Sequence, residues 1–171
     1  MPESIHNLKV ESLTRLLDSK GIEGIYLSSS DKRLQEFFDS ETSFIFNGIV
    51  ICLQLKGETE TVINGKVLHI SAPSVILLPP NEMIETRKNS PDMKRLSVIA
   101  SFDLILEYPT PLDTDILNIA RQSPVVKVTD GMMERLAGIY ALLETEYACS
   151  GNDFRREICK SLFYVLLLEI Y

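Results

Sequence analysis

The chain has no tryptophan, two histidines and three cysteines in 171 residues. Each scarcity excludes something. His6 and His69 stand far apart in sequence, and a two-histidine metal centre would need both. Cys52, Cys149 and Cys159 are odd in number and show no C-x-x-C spacing. That argues against a zinc site or a disulfide framework and for a reduced, cytoplasmic setting. Cysteines flanked by apolar residues are expected to act as small buried hydrophobes. Long apolar runs are missing as well: the longest, Leu162 to Leu168, is closed by Glu169, whereas a membrane span needs about 20 residues. The opening Met1-Pro2-Glu3-Ser4 carries an early acid and nothing like a signal peptide. Positive charge is outweighed too. Seventeen Lys and Arg against 24 Asp and Glu leave −7, which speaks against phosphate-backbone binding by these residues themselves.

What is present is ordinary globular composition, 45% hydrophobic and 24% charged. Leu8, Leu13, Leu16 and Leu17 approximate a helical face ended by Gly21. Gly24 to Ser28 is strand-like, and residues 31–40 read as a charged loop with at most a helical turn. From Phe44 onward short β-type runs alternate with turns. Phe44 to Leu55 reads as one buried strand bulged or bent at Asn47-Gly48. Asn64-Gly65 between two β-branched runs predicts a type I′ hairpin. Ser74 to Leu78 is a buried strand stopped by Pro79-Pro80, Met83 to Lys88 a polar strand expected to be exposed, and Leu96 to Phe102 an alternating strand. Asp113-Thr114-Asp115 offers the cap of a short helix, and Pro124 to Val128 one more strand. Two helices finish the chain, one from Thr129 or Asp130 to about Ala148, the other from Asp153 onward. The organisation is therefore a lead-in segment (1–40), a β-barrel (41–110), a connecting helix and strand (111–128) and a helix pair (129–171).

This order of elements resembles the N-terminal sensor and dimerisation half of AraC-type transcription regulators. The likeness lies in Leu53-Gln54-Leu55-Lys56-Gly57, the hairpin Val62-Ile63-Asn64-Gly65-Lys66, Ser74 to Pro80, the strand 96–102, and Pro124-Val125-Val126 leading into the helices. The resemblance implies a mostly β fold, a small cupin-like double-stranded β-helix barrel followed by an antiparallel helix pair. It implies an effector-sensing role, a homodimer, and control of DNA through a module of two helix-turn-helix units. That module is not in this chain, which stops at Tyr171 inside a helical pattern; the expectation is a truncated or naturally partial regulator.

Catalytic constellations are thin. Cupin metalloenzymes resemble one another in a His-x-His pair with a following Glu near the first hairpin, and Gly57 to Lys66 has no histidine. A Ser-His-Asp or Cys-His arrangement would need the same two histidines, and no G-x-S-x-G, Walker or G-x-G-x-x-G motif occurs. Glu58 and Glu60 share a strand face that reads as a solvated outer surface. No enzyme activity, metal or cofactor is expected. A metal-independent cupin-type binding protein and a cyclic-nucleotide-type sensor are the alternatives; for the second, no Gly-Glu…Arg-x-Ala-like phosphate cassette is found. The basic pairs Arg87-Lys88 and Lys94-Arg95 read as solvated charges.

A small-molecule effector would lie inside the barrel, among Phe46, Leu53, Ile76 and Val98. In the first long helix Met133, Leu136, Tyr140, Leu143 and Tyr147 recur at spacings of three and four. Such a stripe either forms a seam with a second copy or packs within its own chain. The resemblance favours the seam, hence a two-fold homodimer.

Overall fold

A computed structural model describes residues 5–8, 22–28, 43–107 and 114–170. The lead-in helix expected up to Gly21 and the loop at 31–40 lie outside them, except that Leu8 ends a strand, β1 (Ile5–Leu8). Nine further strands follow: β2 (Ile25–Ser28), β3 (Ser43–Phe46), β4 (Gly48–Lys56), β5 (Glu58–Ile63), β6 (Lys66–Ser71), β7 (Ser74–Leu78), β8 (Met83–Asn89), β9 (Lys94–Ser101) and β10 (Val125–Lys127). The helices are α1 (Phe102–Leu106), α2 (Thr114–Gln122), α3 (Asp130–Ala148) and α4 (Arg155–Glu169).

The strands form two five-stranded sheets, ordered β1-β3-β8-β5-β6 and β10-β7-β4-β9-β2. Numbering β2 to β9 as one to eight, the sheets run 2-7-4-5 and 6-3-8-1. That is the interleaved order of a double-stranded β-helix, in which successive strands cross between facing sheets except at the β5–β6 hairpin. β1 and β10 extend one edge each, β1 parallel to β3 and β10 antiparallel to β7. The barrel is thus cupin-like, with the antiparallel helix pair at its C-terminal side.

Local chemistry accounts for the corners. Asn64 and Gly65 both have positive φ (48° and 79°) and close the β5–β6 hairpin as expected. Asn64 also fastens the tip to β8, its Oδ1 accepting from Met83 N at 3.1 Å. Gly57 turns β4 into β5 at φ +82°, where a Cβ would lie 2.4 Å from Ser90 Oγ and 2.9 Å from Met93 Cα. Only glycine fits there.

Two expectations need correction. Phe44 to Leu55 is not one bent strand. Asn47 separates β3 from β4, which belong to opposite sheets, so this is a barrel corner. β8 is not an exposed strand either. It lies between β3 and β5, with Glu85 and Thr86 buried; the Glu85 carboxylate is satisfied by neighbours. Glu85 accepts from Arg87 Nε at 2.9 Å and from Ser43 Oγ at 3.4 Å.

Two cores result, and the strands β4, β7 and β9 divide their side chains between them. Ile49, Ile51, Leu53, Val75, Leu77, Val98 and Ala100 join the core under the helices. Val50, Cys52, Ile76, Leu78 and Ile99 join the core inside the barrel. The period-2 alternation of a strand makes this division unavoidable once both faces are covered.

α3 starts where the sequence suggests, with Thr129 as N-cap and its Oγ1 accepting from Met132 N at 3.2 Å. The turn into α4 is fastened by Arg155, which donates to Glu146 O at 3.3 Å and to Tyr147 O and stacks 5.5 Å over the Tyr147 ring. α4 is tied back to the end of α1 by Glu107, which accepts two bonds of 2.9 Å from Arg156 and one of 3.1 Å from Lys160. These cations hold the Glu107 carboxyl down at about 2.

Candidate functional site

The barrel interior changes chemistry along its axis. Cross-strand register puts Leu78, Val50 and Ile99 in one row, Ile76, Cys52 and Ser97 in the next, and Gln54 with Arg95 in a third. On the facing sheet Ile84 pairs with Ile63, and Thr86 with Thr61. One end is therefore wholly apolar, the other increasingly polar.

Most polar side chains at that end are committed to the fold. Gln54 Nε2 donates to Gly57 O and Ile70 O, both at 3.0 Å. Thr61 Oγ1 donates to Glu85 O at 2.8 Å, and Thr59 Oγ1 to Lys88 O at 3.1 Å. Thr86, Ser97 and Arg95 line an internal cavity of about 50 Å³, completed by Cys52 and an apolar wall of Phe46, Val50, Ile76, Leu78, Ile84 and Ile99. Arg95 is the one charged residue in that wall, and its Nη2 is fully buried. Ile84, Arg95 and Ser97 are only half-buried, so they mark the mouth. Burial pushes the Cys52 thiol up, against the opposing influence of the Arg95 charge and a Ser97 hydrogen bond, which keeps it protonated and unreactive.

Among the residues expected to line the interior, Phe46 and Ile76 do so. Leu53 and Val98 do not: each lies on the face of its strand opposite the cavity residues and packs under the helices. The apolar face of β9 was visible in the sequence, but the helix pair, not the barrel interior, covers it. Arg95, read as a solvated charge, is the residue that sequence reasoning missed. The signal was available in the same alternation, because 95, 97 and 99 share the face opposite 96, 98 and 100.

The α3 stripe is also placed differently from the seam expected. Met133, Leu136, Tyr140, Leu143 and Tyr147 are all buried within one chain, against the outer face of the β10-β7-β4-β9-β2 sheet and against α4. Tyr140 Oη donates to Ser97 O and Tyr147 Oη to Ile25 O, each at 3.2 Å. Burial, with Glu144 nearby, raises the Tyr140 phenol. Buried in this way, none of the five offers surface to a second copy. Exposed apolar side chains do stand elsewhere on the pair, at Leu142 (59% exposed), Val165 and Leu168.

Other candidates fall away on geometry. His69 lies 3.5 Å from Glu60 Oε2 on the outer face of the barrel. Among the described residues no three His, Cys, Asp or Glu side chains gather as a metal would require. Cys52 and Cys159 are buried and Cys149 is exposed; burial lifts Cys159 to about 11. A larger hollow of about 470 Å³ at the loop end is open to solvent, and in its wall Lys56 Nζ lies 3.7 Å from Asp92. No helix among the described residues is long and apolar enough to cross a membrane.

No protein-family model matches the sequence, and no curated protein does. Solved structures resemble it at low identity. The AraC-like transcriptional activator CuxR is 11% identical over 84% of this chain and 48% of its own, with a TM-score of 0.46. ToxT K231A from Vibrio cholerae, in the apo form, is 12% identical over 84% and 54%, with a TM-score of 0.46. The EutQ protein of Clostridium difficile is 16% identical over 50% and 79%, with a TM-score of 0.32. The chain spans about half the length of the two regulators. Its fold assignment stands on its own strand order.

Proposed function

We propose that the chain is a non-catalytic, effector-sensing domain of the AraC type, homodimeric, which controls a DNA-binding module outside these 171 residues. One observation carries the reading: β4, β7 and β9 wall the internal cavity with one face and seat the helix pair with the other. A molecule that spreads the interior must shift Cys52, Ile76 or Ile99, and the residues between them carry Leu136, Tyr140 and Leu143. A ligand biases such an element only through different affinities for its two arrangements. The seam for a second copy would be the exposed face of the helices, at Leu142, Val165 and Leu168.

The test is a compound screen by thermal unfolding, followed by hydrogen exchange on any hit. A ligand at a hundred times its Kd adds about 2.7 kcal/mol. The expected result is slowed exchange in β4, β7 and β9 together with altered exchange in α3 and α4. An empty screen, or hits that leave the helices unchanged, would overturn the sensing role. The oligomer is checked separately by light scattering, where the wild type should show twice the mass of one chain and Leu142→Lys a single one.

The cavity volume favours a second reading. About 50 Å³ holds one or two waters, well below the roughly 300 Å³ and more of ordinary ligand pockets. A barrel plugged by its own side chains would serve purely as an assembly module, and the empty screen is the outcome this reading expects.

A further inference from the structure

β6 and β10 are edge strands of the two sheets on the same side of the barrel, since β10 lies beyond β7 and the turn from Ser71 to Ser74 joins β6 to β7. No strand pairing connects β6 with β10. Along this seam Leu68 of β6 and Val125 of β10 both pack on the interior core and are only partly buried. Val125 is in register with Ile76, which lines the internal cavity. Two polar contacts span the seam. Near the Ser71–Ser74 turn, Lys127 Nζ donates to Ser71 O and, at 2.5 Å, to Ser71 Oγ. At the far end Arg121 Nε lies 3.3 Å from Glu82 Oε1, and the other oxygen of Glu82 accepts from Asn64 Nδ2 at the β5–β6 tip. The segment between these contacts is lightly held: β10 has three residues, and of residues 116–122 in α2 only Ala120 is fully buried.

From this we infer that the β6–β10 seam is a side gate to the barrel interior, hinged at the Ser71–Ser74 turn and latched by Arg121 on Glu82. The inference rests on the sensing role proposed above and supplies its entrance. To open, the end of α2 and β10 swing away from β6. They give up the short pairing with β7 and the bond of 2.8 Å from Leu77 N to Pro124 O. Segments with few buried contacts open in this way without the rest of the fold. The latch suits the task, because an ion pair with a half-exposed partner adds little stability and so closes the seam without fixing it. The closed cavity of about 50 Å³ is too small for an ordinary ligand. Parting Val125 from Leu68 extends that space beside Ile76 out to the surface. Thr129, the N-cap of α3, comes two residues after Lys127, so the gate opens at the root of the helix pair.

Cys52 supplies the probe, because it is buried and lines the cavity, while Cys159 is buried in the core under the helices. The experiment treats the full chain carrying Cys149→Ser with iodoacetamide across low urea concentrations. Mass spectrometry follows each thiol, normalised to its rate in the unfolded chain. A local gate exposes little surface, so Cys52 should react faster than Cys159 and at a rate nearly independent of urea. Cys159 should wait for global unfolding and respond steeply. Arg121→Gln and Glu82→Gln should each raise the Cys52 rate roughly two- to fivefold. Lys127→Gln, at the hinge, should raise it less, and Arg156→Gln, which breaks an ion pair away from the seam, should leave it unchanged. If one latch variant does not fold, the other decides by the same rate. Equal rates with equal urea dependence for Cys52 and Cys159 would overturn the gate, since the interior would then open only by unfolding. A Cys52 rate that ignores both latch variants would place the entrance elsewhere and overturn it too. No effector enters these measurements, so either failure leaves the sensing role to the compound screen, and an empty screen leaves the gate to Cys52.

Discussion

The two cores of this molecule are built from the same three strands and packed to different standards. Under the helices, Leu53, Leu77, Leu136, Leu143 and Leu166 are fully buried, and the tyrosines there find backbone acceptors for their hydroxyls. Inside the barrel the neighbouring residues on those strands surround a gap that holds Arg95 and an uncommitted threonine. Protein interiors ordinarily approach crystal density, so the filled core is what stability alone would select. The unfilled, partly polar one is where a ligand has something to gain.

Truncation tests this contrast most strongly. Leu143→Ala should cost about 3–5 kcal/mol in urea unfolding, the upper part of the usual range, because the helix pair is held on both sides of the void. Leu78→Ala, beside an existing gap, should cost nearer 2 kcal/mol. Equal losses would mean that the two cores are packed alike. Enlargement tests the same contrast with opposite signs. Ala100→Val, in the filled core, should destabilise by about 1–3 kcal/mol. Val50→Ile, facing the cavity, should be neutral or slightly stabilising, and it should weaken any ligand that needs the space.

How much of this was legible in the sequence follows from what each pattern encodes. Turn chemistry is local, so Asn64-Gly65, Gly57 and the Thr129 cap could be read directly. Strand alternation is also local, but it says only that two faces differ. Which face of β9 meets the barrel interior depends on where α3 and α4 come to rest, about thirty residues later in the chain. Alternation alone therefore leaves Leu53 and Val98 free to be read as barrel lining and Arg95 as a surface charge. The spacing of the α3 stripe likewise shows one apolar face and says nothing of whether a sheet or a second helix will cover it.

Smaller effects refine the comparison. Tyr140→Phe should cost about 0.5–1.5 kcal/mol, since it leaves Ser97 O without the hydroxyl that approaches it in the filled core. The smallest lies at the surface. Glu107 is held at about 2 in the folded chain, below its ordinary 4.5, so its contribution is complete above about pH 4.5 and disappears as pH falls through about 2. Glu107→Gln should show a shallower loss of stability across that window in acid titrations followed by circular dichroism. An unchanged acid profile would mean that the Arg156–Lys160 clasp contributes nothing to folding.

Ser97 sits in both regions at once. Its side chain borders the cavity, and its carbonyl oxygen accepts the Tyr140 phenol from the other side of the sheet. The chain has six tyrosines and no tryptophan to mask them, which gives the protein a built-in optical gauge. Movement of Ser97 by an occupant of the barrel would lengthen or release that phenol bond and change the ultraviolet absorption and emission of Tyr140, and Tyr140→Phe would silence the signal.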